Sequence, residues 1–208
     1  MAVVLTGCGS ITPTASPGTS GPTRATIPRS GTTAAVTPST STPRIGPGSL
    51  ATYTVQHQRA PGSCHYKWVG TYPLPDPTCT PGAVDPQVTP SDLDSTICRA
   101  GWTSTVRPPE RITGPEKAGS AAAYGYIGPW ATAEYDHLVP LELGGDPNDP
   151  ANLWLEPNDR PGATSFTNSK DALETTLHDL VCSGQLSLAA AQEAIATDWV
   201  AAFRRYGI

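Results

Sequence analysis

From Tyr135 to Trp154 the chain reads Tyr-Asp-His-Leu-Val-Pro-Leu-Glu-Leu-Gly-Gly-Asp-Pro-Asn-Asp-Pro-Ala-Asn-Leu-Trp, two apolar segments separated by a Gly-Gly turn. No other stretch restricts the fold as much. Gly144-Gly145 supplies a reversal and Pro140 interrupts any continuous ladder, so the segments are predicted to form a two-stranded ribbon whose return strand lies near residues 152–156. Neighbouring side chains of a straight strand point to opposite faces. Asp136 and His137 can therefore serve one site only if the strand ends or distorts at them.

The 208 residues include 23 Pro and 20 Gly, and the excess is concentrated. Between Cys8 and about Gly48 nearly every residue is Ser, Thr, Pro, Gly or Ala, with almost no large apolar side chain to offset the entropy of ordering. The predicted organisation is a signal remnant over residues 1–8, a disordered linker over 9–49 and one folded domain over 50–208. The remnant ends in Leu5-Thr6-Gly7-Cys8, which resembles the site at which bacterial lipoprotein precursors are cleaved and acylated. Cys8 is thus the expected lipid anchor, with the true start upstream of Met1 and the protein tethered outside the cytoplasm or secreted. The other four cysteines, Cys64, Cys79, Cys98 and Cys182, make an even set suited to two disulfides in an oxidising compartment. The preferred pairing of the three available is Cys64 with Cys79, a local staple, and Cys98 with Cys182.

The net charge of -5 is unevenly distributed. Residues 1–130 carry 9 Lys and Arg against 6 Asp and Glu, whereas residues 131–208 carry 4 against 12, giving +3 and -8. An acidic half repels phosphate unless a metal or a local basic patch offsets it. Candidate offsets are Arg99, Arg107, Arg111, Lys117, Arg160 and Lys170. Residues 51–58 alternate weakly enough for an edge strand, and residues 121–130 carry Tyr124, Tyr126 and Trp130 for packing near the motif. Leu173, Leu177, Leu180 and Val181 predict a helix over about 169–182, capped by Thr167 or Ser169 and stopped by Gly184. A second helix begins at Ser187 with Leu188, Ala191, Ile195, Trp199 and Phe203 on one face.

The motif residues suit phosphodiester hydrolysis, which needs a water, a group to take its proton and positive charge at the phosphate. His137 is the candidate base, with an ordinary pKa of about 6.5 that leaves a useful neutral fraction. Asp136 is a hard oxygen ligand for Mg²⁺ or Mn²⁺. Asn152 is placed to bond across the loop and lock the backbone carrying His137. A helix laid across the ribbon brings its first turn beside the ribbon's start, where Asn168 would offer a second ligand oxygen.

These residues, with the Lys-Asp-x-Leu-Glu segment at Lys170, the Val-Cys-x-Gly turn at Val181 and the Ala-Gln-x-Ala-Ile-Ala-x-Asp-Trp segment at Ala191, resemble the HNH endonuclease superfamily. The likeness is to its small secreted or lipoprotein-type bacterial members and spans about residues 96–199. It implies an α+β fold with a ββα-metal (His-Me finger) core, an added C-terminal helix and disulfide-stapled N-terminal loops. It further implies a metal-dependent endonuclease acting on DNA first and RNA second, with His137 and Asn152 catalytic and Asp136 and Asn168 on the metal. Asn168 stands where many members carry His, which favours Mg²⁺, then Mn²⁺, over Zn²⁺. Lys170, Arg107 and Arg160 are candidate phosphate contacts, and a monomer is the default. The competing expectation is an HNH-fold lipoprotein with little or no turnover that binds nucleic acid or metal.

Overall fold

The computed structural model describes residues 42–207. Cys8 and most of the expected linker lie outside the described residues. Among the described residues the architecture is α+β, with three small two-stranded sheets and four α-helices. Strands β5 (Ala133–His137) and β6 (Leu153–Pro157) pair antiparallel, from Ala133 opposite Pro157 to His137 opposite Leu153. This is the predicted ribbon, and its ladder runs regularly through Asp136 and His137 before β5 ends.

Helix α1 (Trp102–Val106) ends where Arg107-Pro108-Pro109 forbids continuation, and α2 (Glu110–Tyr124) follows. Nothing local announced α2, because Pro115 sits inside it and lacks the N–H that would bond one turn back. Tertiary packing holds it instead: it lies against β5 and β6, and the Ser120 hydroxyl accepts from Leu155 N at 2.9 Å. Tyr124 is buried and stacks on Tyr66 at 4.5 Å, with Trp154 beside both. Trp130, expected to pack near the motif, lies in the turn just before β5 and is 54% exposed.

Helices α3 (Lys170–Cys182) and α4 (Leu188–Tyr206) match the predicted periodicity. Leu173, Leu177 and Val181 of α3 meet Leu188, Ala191, Ile195 and Trp199 of α4 in the main core, which Leu138, Val139, Leu141 and Leu143 complete from the loop after β5. The Ser187 side chain caps α4, accepting from Ala190 N. For α3 the predicted caps are corrected. Ser169 stands at the N-cap position as predicted, but its side chain makes no capping bond; Asn168 Oδ1 accepts from Lys170 N, and Asp159 Oδ2 accepts from Ser169 N at 2.8 Å.

Both disulfides have the expected connectivity. Cys64–Cys79 closes the antiparallel hairpin of β2 (Lys67–Val69) and β3 (Tyr72–Leu74), while Cys98–Cys182 ties the segment before α1 to the end of α3. Their sequence separations are 15 and 84. Because loop-closure entropy grows with loop length, a Cys98→Ala/Cys182→Ala chain is expected to lose about 2–4 kcal/mol and more than the Cys64→Ala/Cys79→Ala chain. Urea midpoints with unchanged slopes check the order.

The N-terminal boundary is corrected. Residues 51–58 form no strand, but Arg44–Ile45 (β1) pairs in parallel with Ala83–Val84 (β4), so the folded body begins inside the stretch expected to be linker. The cause was invisible to hydrophobic patterning, since this segment is held by backbone amides on buried carboxylates: Gly48 N on Asp146 Oδ2 at 2.6 Å and Ser49 N on Asp85 Oδ2 at 2.9 Å.

Candidate active site

The 15 residues between β5 and β6 are organised around Asn152. Its Oδ1 accepts from Val139 N at 2.9 Å and Ala83 N at 3.3 Å, and its Nδ2 donates to Val139 O at 2.9 Å and Asp146 O at 3.0 Å. One fully buried amide thus ties the start of the loop to its far side and to β4. The two glycines of the turn are required sterically: Gly144 has φ of 69°, and a Cβ on Gly145 would meet Val139 O at 1.7 Å.

His137 is 5% exposed, and its Nε2 lies 3.0 Å from Pro147 O. A carbonyl oxygen only accepts, so Nε2 carries the hydrogen and Nδ1 carries the lone pair. Burial pushes the imidazole down to about 4 against the pull of Asp136, with Arg107 and Lys170 pushing the same way. His137 is therefore neutral through the physiological range, with Nδ1 free of a proton.

Asp136 points elsewhere, as alternation along β5 dictates, and meets Lys170. That lysine is wholly buried at the first turn of α3. Its ammonium donates to Asp136 Oδ2, to Glu174 Oε1 at 2.5 Å and to His137 O at 2.9 Å, with Glu156 Oε2 at 3.6 Å. Three carboxylates share one cation. Burial raises Asp136, but the Lys170 charge, hydrogen bonds from Glu156 and Lys170 and the nearby His137 together outweigh it and hold this carboxyl below the usual carboxylate range. Burial pushes Glu174 up to about 8 and Glu156 well above its ordinary value, with Asp136 adding to both. The sequence reading of Lys170 as a phosphate contact or solvated helix start is corrected, because its ammonium has no path to solvent.

Asn168 stands beside this cluster but spends Oδ1 on the Lys170 amide, while its Nδ2 is buried without a hydrogen bond. Arg107, exposed at the end of α1, is near enough to act on the charge of both His137 and Glu134. Arg160 lies on an exposed loop. Lys117 donates to Ala133 O at 2.7 Å. His178 bonds Ile97 O at 3.0 Å and is an interface residue. Glu156, Asp159 and Pro147 were not singled out from sequence; Glu156 alone left a signal, an acidic residue on a strand whose other residues are apolar or Pro.

The surroundings of Asp136 are acidic. Burial and the neighbouring charge of Asp136 raise Glu134 and Asp171, and Glu142 and Asp159 add to the field at Asp171. Among the described residues no group of three His, Cys, Asp or Glu is placed to hold a metal ion. A hard ion of the Mg²⁺ kind keeps most of its waters and needs only one or two carboxylates. Asp136, whose side chain is 19% exposed and whose Oδ2 accepts from Lys170, is the carboxylate that could meet such an ion. No family model, curated protein or solved structure matches the chain.

Proposed function

We propose that this protein is an exported endonuclease that hydrolyses phosphodiester bonds of nucleic acid, DNA first, on a ββα core with a divalent metal. The observation that carries the reading is His137: neutral, oriented by the Pro147 carbonyl and set at the end of a strand in a loop closed by Asn152. Its Nδ1 takes the proton of the attacking water. Asn152 fixes the backbone that carries it, and Arg107 draws a phosphate toward otherwise acidic surroundings. A metal held at Asp136 would supply positive charge where negative charge develops on the phosphate. Two disulfides, and no helix among the described residues long and apolar enough to cross a membrane, are compatible with an extracytoplasmic site. We extend this to tethering through a lipid on Cys8.

The acidic surroundings of Asp136 favour a second reading, a binding module with little turnover. The two separate in one experiment. The full chain, incubated with plasmid, single-stranded DNA and RNA in Mg²⁺, Mn²⁺ or chelator, is expected to nick with metal only; binding without cleavage under every ion supports the module. The acid limb of the pH profile also discriminates. The working form of His137 is neutral, so activity should be lost only as pH falls through about 4. A limb centred near pH 6.5, the ordinary histidine value, would show that the base is not buried as described (about 6.5).

A further inference from the structure

The carbonyl that orients His137 belongs to a turn with its own clamp. Asp146, fully buried, accepts from Asn148 N at 2.9 Å and Asp149 N at 2.8 Å through Oδ1, which shapes the turn around Pro147. Its Oδ2 accepts from Gly48 N at 2.6 Å. Its own N–H donates to Ala83 O at 2.9 Å and its own carbonyl accepts from Asn152. Every polar group of Asp146 is committed.

Residues 44–49 cross this turn as a strap. Arg44 N donates to Gly82 O at 3.1 Å and Gly46 N to Val84 O at 2.9 Å, while the Arg44 guanidinium pairs with Asp149 at 2.5 Å. Asn148 Nδ2 donates to Thr54 O at 2.9 Å just beyond. The strap lies so close that a Cβ on Gly46 would meet Asp146 Oδ2 at 2.2 Å. A buried carboxylate with one oxygen on the turn and the other on the strap transmits the position of one to the other.

We infer that Asp146, clamped under residues 44–49, is the positioning residue that holds the Pro147 carbonyl on His137 Nε2. Its importance for cleavage rests on His137 being the base, but the contact exists without that reading. Gly46→Ala drives a methyl into Asp146 Oδ2. Asp146→Asn keeps one oxygen and puts an NH₂ where the second oxygen served, so strap and turn cannot both be satisfied. Either change lets the Pro147 carbonyl drift.

The test follows the His137 ring N–H in the ¹⁵N-labelled full chain, where a buried, hydrogen-bonded imidazole proton exchanges slowly with water. The signal is assigned by its loss in His137→Gln. Gly46→Ala and Asp146→Asn are expected to speed its exchange at least about tenfold while other core amides stay protected. Gly114→Ala, at a helical glycine with open space around it, should leave it unchanged. Wild-type exchange in both variants would overturn the inference. Should either variant fail to fold, Arg44→Ala, whose side chain is 55% exposed, loosens the strap more gently and must show the same direction of change. Where the wild type cleaves, kcat should fall with KM retained. A wild type that never cleaves, with the ring N–H responding as expected, defeats the nuclease reading and leaves the positioning role intact.

Discussion

His137→Ala is expected to reduce metal-dependent nicking by about 10²–10⁴-fold, the range a positioned general base contributes. The reasoning runs from Pro147. Its carbonyl commits Nε2 as a donor, so the ring offers one proton acceptor, Nδ1, and burial keeps that nitrogen unprotonated at neutral pH. The substitution removes that acceptor and strands the Pro147 carbonyl, a buried loss of about 1–3 kcal/mol. Activity and stability must therefore be read separately, by cleavage rate at saturating metal and by urea midpoint. His137→Gln sharpens the comparison, since its amide can still donate to Pro147 yet is no base. Cleavage within tenfold of wild type in a folded His137→Ala chain would remove His137 from the chemistry and take the proposed mechanism with it.

Legibility in the sequence followed the range of the interaction. The β5–β6 ribbon, α3, α4 and the Gly144-Gly145 turn rest on periodicity and turn chemistry written within a few residues, and each appears where expected. The cysteine pairing was legible because only three pairings exist and one gives a local staple. Helix α2 was not, since most of its apolar residues are Ala and Pro115 argues against a helix; packing on the ribbon overrides both. The strap was hidden for a different reason: Gly46, Gly48 and Ser49 contribute backbone amides, and their partners Val84, Asp146 and Asp85 lie far along the chain. At the site, the Asp136–His137 pair and the scaffold amide of Asn152 were readable from type and spacing. The burial of Lys170 was not. Four-residue spacing to Glu174 is the mark of an ordinary surface ion pair, and only the return of Glu156 on β6 above the start of α3 turns it into a buried cluster.

Lys170→Met is expected to destabilise the fold by about 3–5 kcal/mol at neutral pH, the usual result of removing one partner from a buried ionic group. The ammonium is the single cation contacting Asp136, Glu156 and Glu174 among the described residues; Glu156 is wholly buried, and the Asp136 and Glu174 side chains are only 19% and 14% exposed. The dependence on pH follows from the shifts. Glu156 and Glu174 are already biased toward the protonated form, so the charge left stranded is chiefly that of Asp136. In the wild type its depressed pKa gives stability that is present above the unfolded value and lost as pH falls through the folded one. Without Lys170 the sign reverses: Asp136 must take up a proton to stay buried, so the penalty is small in acid and grows as pH rises. Urea unfolding at pH 5 and pH 7.5 reads this directly, and an equal loss at both would mean that Lys170 acts by packing alone. Adding Asp136→Asn should recover part of the loss at neutral pH, because the stranded charge is gone. Millimolar Mg²⁺ should stabilise Lys170→Met more than wild type, since a ligand that binds only the folded state stabilises in proportion to its affinity and Asp136 Oδ2 is then unclaimed. Equal stabilisation of both proteins would show that the ion does not meet the oxygen that Lys170 holds.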